Sequence, residues 1–207
     1  MIGLSILLVI HMFVSLIYTE LIFKGVSCEA GNKKINTQKT IYQIIQDILV
    51  NEGLWGKVKI EMSPERETSE SFYVEKSRTI QLSDADGTAQ SIGAAIHECG
   101  HAIQYNKSDV AFKIIKIRDA LKRFYLLDIV SPLAVPFYAA FCTPLYIVFC
   151  FFLLKLVLRV IIEFLVEIDA NVRILKYIKK NIPDTADRRA VRKFLAACSL
   201  TYLSTLS

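Results

Sequence analysis

Ala94-Ala95-Ile96-His97-Glu98-Cys99-Gly100-His101-Ala102-Ile103 is the stretch on which the reading of this chain turns. Two histidines four apart on a helix point the same way, one turn above the other. So placed, they can fill two corners of a tetrahedral Zn²⁺ site. Glu98 follows the first of them and would stand beside the metal, placed to take a proton from a zinc-bound water. Thr88 to Tyr105 contains no proline, and its alanines and isoleucines allow burial, so a helix is expected there. The chain has three histidines, and this motif uses two. The third, His11, lies in an apolar segment and is assigned no role.

A catalytic zinc site needs a third protein ligand and leaves its fourth position to water. The motif is followed by Ala102 to Asn106, which exclude the extended three-histidine type. A carboxylate must serve. Val166-Glu167-Ile168-Asp169-Ala170-Asn171 is a helical stretch that carries acids. Glu163 and Glu167 share one helix face, as do Glu167 and Asn171. Asp169 lies roughly 200° around the helix from Glu167, so the two cannot both point at one ion. Glu167 is therefore the expected third ligand, with Glu163 or Asp169 as alternatives. Asn171 or Asp169 is expected to orient a histidine from behind.

Working outward, a helix with the apolar face Ile41, Ile44, Ile45, Ile48 and Leu49 is expected after a cap at Asn36 or Thr37, with Gly53 ending it. Val58, Ile60 and Met62 alternate with charged residues as in a half-buried strand, and Phe72–Val74 and Thr79–Leu82 add strands. A further helix is expected from Asp109 to Leu127, a charged one from Glu163 to Lys180, and a last one from Asp187 after the break at Pro183. The fold class is mainly α with a small β component, an α+β arrangement around a zincin-like core.

Composition adds a membrane expectation. Hydrophobic residues make up 53% of the 207, and neither Met1–Thr19 nor Ile129–Leu154 contains a charged side chain. Four regions follow: an anchor helix over 1–24, a water-facing part of the catalytic domain over 25–128, a transmembrane or re-entrant hairpin over 129–162, and the third-ligand helix with an apolar tail over 163–207. Residues 25–123 hold 14 Lys and Arg and 163–207 hold 8, which places both on the cytoplasmic side. A metal joining His97, His101 and Glu167 would also need both segments on one side. The net charge of +5 comes without a basic run interleaved with aromatics, so nucleic acid is not an expected partner. Five scattered cysteines without a C-x-x-C exclude a disulfide framework.

Three blocks carry a resemblance. Ser91 to Gln104 resembles an A-A-H-E-x-G-H-A-x-Q block, Val166 to Ala170 a V-E-F-D-A block, and Ala196 to Tyr202 an A-A-A-L-T-Y segment. Together they resemble the bacterial membrane-anchored neutral zinc metallopeptidases of the YugP type. Ser69 to Glu75 departs from that family, which has a D-H-Y-D-P-like stretch there. The resemblance implies a zinc peptidase with a glutamate third ligand. It puts the family's motif on His97, Glu98 and His101 and its acidic block on Glu167 and Asp169.

The expectation is an enzyme of the integral bacterial cell membrane that hydrolyses peptide bonds of a protein or peptide substrate. It would use one Zn²⁺ per chain and Glu98 as general base. The rival is a non-catalytic membrane scaffold or assembly factor with a structural metal or none.

Overall fold

The computed structural model describes residues 22–62, 71–83, 86–107, 109–122 and 143–204. In chain order these form α1 (Lys24–Asn32), α2 (Ile41–Asn51), β1 (Lys59–Met62), β2 (Phe72–Val74), β3 (Thr79–Leu82), α3 (Ala89–Asn106), α4 (Val110–Lys122), α5 (Thr143–Asn181) and α6 (Thr185–Ser204). The architecture is a mainly helical α+β arrangement with one small sheet.

The sequence-level signals for α2 and α3 are realised through local chemistry. Thr40, rather than Asn36 or Thr37, caps α2 by a reciprocal box with Gln43. Ile41, Ile44, Ile45, Ile48 and Leu49 then face the core. Gly53 follows with φ +69°, a left-handed conformation that glycine adopts without a Cβ penalty. Thr88 and Ser91 form the equivalent box at the start of α3. Asp86 braces it by accepting from the Thr88 backbone N–H and the Ser91 hydroxyl.

The sheet has the order β1-β3-β2. β1 runs parallel to β3 and β2 antiparallel to it. Ile80 and Leu82 of the central strand are buried. Alternation in β1 fades at its end, since Met62 is exposed. This is the behaviour of an edge strand only part of which is covered.

Helix α3 is the hub. Thirteen of its eighteen residues are buried, and it touches every other helix as well as β2 and β3. A helix buried on nearly all sides must be apolar or small on nearly all sides. Ile92, Ile96 and Ile103 meet α2's isoleucines, Ile174 and Ile178 of α5, and Val191, Phe194 and Leu195 of α6 in one core.

The expected integral-membrane architecture is corrected here. Residues 143–162 were expected within a hairpin that returns the chain to the zinc site. They form instead the first half of one unbroken 39-residue helix, α5, which runs directly into the acid-bearing stretch. That helix carries Lys155, Arg159 and Glu163 along the way. Among the described residues no helix is long and apolar enough to cross a membrane. This overturns the transmembrane hairpin and the location in the cell membrane with a cytoplasmic catalytic part. The anchor expected over 1–24 lies outside the described residues up to residue 21, as does the 123–142 portion of the apolar stretch. The two halves of the motif meet because α5 packs lengthwise on α3.

Candidate metal centre

His97 and His101 stand one turn apart on α3, and Glu167 reaches them from α5. One ligand atom from each of the three lies within 4.8 Å of the others. The two Nε2 atoms are 3.1 Å apart. Glu167 Oε2 is 3.0 Å from His97 Nε2 and 3.5 Å from His101 Nε2. That oxygen is fully buried, yet it has no hydrogen-bond partner.

The close approach of α3 and α5 depends on Gly100. A Cβ at this position would lie 2.5 Å from the Ala170 carbonyl oxygen and 2.9 Å from its carbon. Any side chain would force the two backbones apart, and Glu167 sits less than one turn from Ala170. Gly100 thus has a packing reason inside the motif, separate from any chemistry. Its neighbour Cys99 points elsewhere, with its thiol against the Ala95 carbonyl. Burial pushes the Cys99 pKa up, so it is an inert core thiol.

Each imidazole is held from behind by a side-chain amide. His97 Nδ1 is 2.9 Å from Asn171 Oδ1, and His101 Nδ1 is 2.9 Å from Gln104 Oε1. Of the two residues expected behind a histidine, Asn171 is the one that lies against His97. Asp169 takes a different part: its carboxylate accepts from Gln104 Nε2 at 2.8 Å and from Arg173 Nε at 2.6 Å. Gln104 went unassigned at the sequence level, although its i+3 relation to His101 was the available signal. Arg173 is committed to Asp169 and to Asp109 on the far side. Glu163 is buried one turn before Glu167 and faces Arg118 of α4 at 3.7 Å, outside the three-residue cluster.

Burial by itself would lower the His97 pKa. Contact with Glu167 and the charge of Glu98 outweigh it and raise the group. Burial would raise Glu167, but the two histidines pull it well below the usual carboxylate range. The two shifts are the two sides of one pairing, in which each partner favours the charge of the other. Glu98 differs. Burial dominates and lifts its pKa, with His101 and His97 opposing. A carboxyl lifted toward neutrality can both take and return a proton.

His97 and Glu98 also line a cavity of about 740 Å³. Its walls come from α1, α3, α6 and the loop before α3, including Cys28, Asp86, Gln90 and Phe194.

A donor set of two imidazoles and one carboxylate, with a buried carboxylate oxygen left unpartnered, fits Zn²⁺ in both ligand type and number. The match to known proteins agrees. Residues 5–206 match the family described as "Putative neutral zinc metallopeptidase". No curated protein and no solved structure gives a significant match.

Proposed function

Because the chain belongs to the neutral zinc metallopeptidase family, we propose that it is a zinc-dependent endopeptidase whose one metal ion is held by His97, His101 and Glu167. The observation that carries this reading is the convergence of three metal-ligating atoms on one buried point, where Glu167 Oε2 has no hydrogen-bond partner.

Zn²⁺ bound there supplies Lewis acidity, which acidifies a water and polarises a peptide carbonyl. The rest falls to the chain's own residues. Glu98 lies beside His97 at the wall of the cavity and takes a proton from the attacking water. It then returns that proton to the leaving amide nitrogen. The cavity receives the peptide, and its walls hold the scissile bond against Glu98. Asn171 and Gln104 keep the imidazoles from rotating away.

The test is Glu98→Gln, assayed for zinc content and for cleavage of an unfolded protein substrate. The expected result is zinc bound at the wild-type ratio and hydrolysis reduced by at least about 10²-fold, at the low end of what a positioned acid–base group contributes. Wild-type cleavage by this variant would remove Glu98 from the reaction. Wild-type protein that takes up no zinc would remove the proposal itself.

A further inference from the structure

We infer that Gln104 and Asn171 are positioning residues that lock both imidazoles with Nδ1–H turned outward, so that both Nε2 lone pairs face Glu167. This rests on the zinc reading above and goes beyond it, because it says which residues make the centre ready to bind.

The argument starts from the nitrogen ends of the two amides. Asn171 Nδ2 lies 3.2 Å from the Leu195 carbonyl and also donates to the Ser199 hydroxyl. A carbonyl can only accept, so the NH₂ end of Asn171 must lie there. Its oxygen is then the atom facing His97, and the Nδ1 of His97 must carry the proton. Gln104 is fixed more firmly. Its Nε2 lies 2.7 Å from the Val166 carbonyl and 2.8 Å from Asp169 Oδ2, two acceptors that exclude the reverse orientation. The Gln104 oxygen therefore accepts from His101 Nδ1. Gln104 is completely buried, so water does not compete for these bonds.

The two amides draw on different parts of the fold. Asn171 takes its support from α6 through Leu195 and Ser199. Gln104 takes its support from α5 through Val166 and Asp169. Asp169 is in turn held by Arg173, which also binds Asp109 just before α4. Each histidine is thus aimed by an amide that other helices hold in place.

The test compares Asn171→Leu, Asn171→Asp and Gln104→Leu with wild type. Zinc affinity is read by chelator competition, and the histidine ring N–H protons of the zinc-loaded protein by NMR. Loss of a group behind a metal-bound histidine typically weakens metal binding by about 10- to 100-fold. Both leucine variants are expected in that range. The slowly exchanging ring proton of His97 should vanish only in Asn171→Leu, and that of His101 only in Gln104→Leu. Asn171→Asp keeps an acceptor for His97, and the Ser199 hydroxyl can turn to donate to its second oxygen, but that oxygen also meets the Leu195 carbonyl, so the variant should lose clearly less affinity than Asn171→Leu. A purely structural role would not separate Asp from Leu at this position, nor remove one ring proton selectively. Should Gln104→Leu fail to fold, the Asn171 pair decides. Wild-type affinity in Asn171→Leu, or equal losses in Asn171→Leu and Asn171→Asp, overturns the inference while leaving the zinc reading standing. Wild-type protein that binds no zinc overturns both.

Discussion

Two buried carboxylates sit between the same pair of helices, and their surroundings are opposite. Glu52, just after α2, meets Lys107 at the end of α3 and Lys176 and Tyr177 on α5. Every one of those groups is a donor. Burial would raise the Glu52 pKa, but these partners together hold it down to about 2. Glu167 instead faces imidazole nitrogens whose protons are committed on the opposite side of each ring. A carboxylate surrounded by donors is a structural tie. One facing lone pairs is incomplete until a cation joins it. The difference separates a strut of this fold from its candidate metal centre, though both side chains are little exposed.

The largest effect should come from removing the carboxylate at the centre. Glu167→Gln is expected to weaken zinc binding by more than about 100-fold, beyond what loss of a supporting group does, because a ligand itself is gone. Isothermal titration with Zn²⁺ checks this, and Glu52→Gln in the same experiment should bind as wild type. If the Glu52 variant loses zinc instead, the division between the two sites fails.

Gly100→Ala should damage both regions, since it wedges α3 from α5. Overpacking of this kind costs about 1–3 kcal/mol, and urea melts should show it together with weakened zinc uptake. An unchanged melt would mean that the helices can separate freely.

Acid should find Glu52 next. Its folded pKa is depressed, so its contribution is fully present above the unfolded value of about 4.5. It is then lost progressively as pH falls toward 2. Zinc-free wild-type protein should therefore lose stability across that window more steeply than zinc-free Glu52→Gln, as followed by circular dichroism. Parallel curves would show that the cluster is not what acid breaks.

The smallest effect belongs to Lys176→Ala. Its side chain is 66% exposed, and exposed ion pairs contribute about 0–1 kcal/mol. The thermal midpoint should shift by no more than a few degrees.

The sequence made some of this legible at once. H-E-x-x-H on a proline-free helix implied two imidazoles on one face, because helical periodicity is a local property. The shared face of Glu167 and Asn171 followed from the same rule and matches where the structure puts them, one at the histidines and one behind His97. Asp169, on the other side of the helix, went to Gln104 and Arg173. The integral-membrane reading was misjudged, since among the described residues no helix is long and apolar enough to cross a membrane. An uncharged run read as a membrane segment, yet its second part enters a continuous α5 that carries charged residues. Hydropathy reports what a segment can be buried in, and neighbouring helices and lipid give the same signal.

What the sequence determined by itself was therefore the set of donor groups on offer: two imidazoles, a glutamate beside them, and a short list of acids for a third position. Spacing along a helix fixes such relations without reference to the rest of the chain. Tertiary structure alone decided which acid arrives, how closely, and in what company. That choice depends on Gly100 letting the α5 backbone lie against α3, and on carbonyls of Val166 and Leu195 turning two amides toward the histidines. These are contacts between residues some 24 to 70 positions apart, and no local period encodes them.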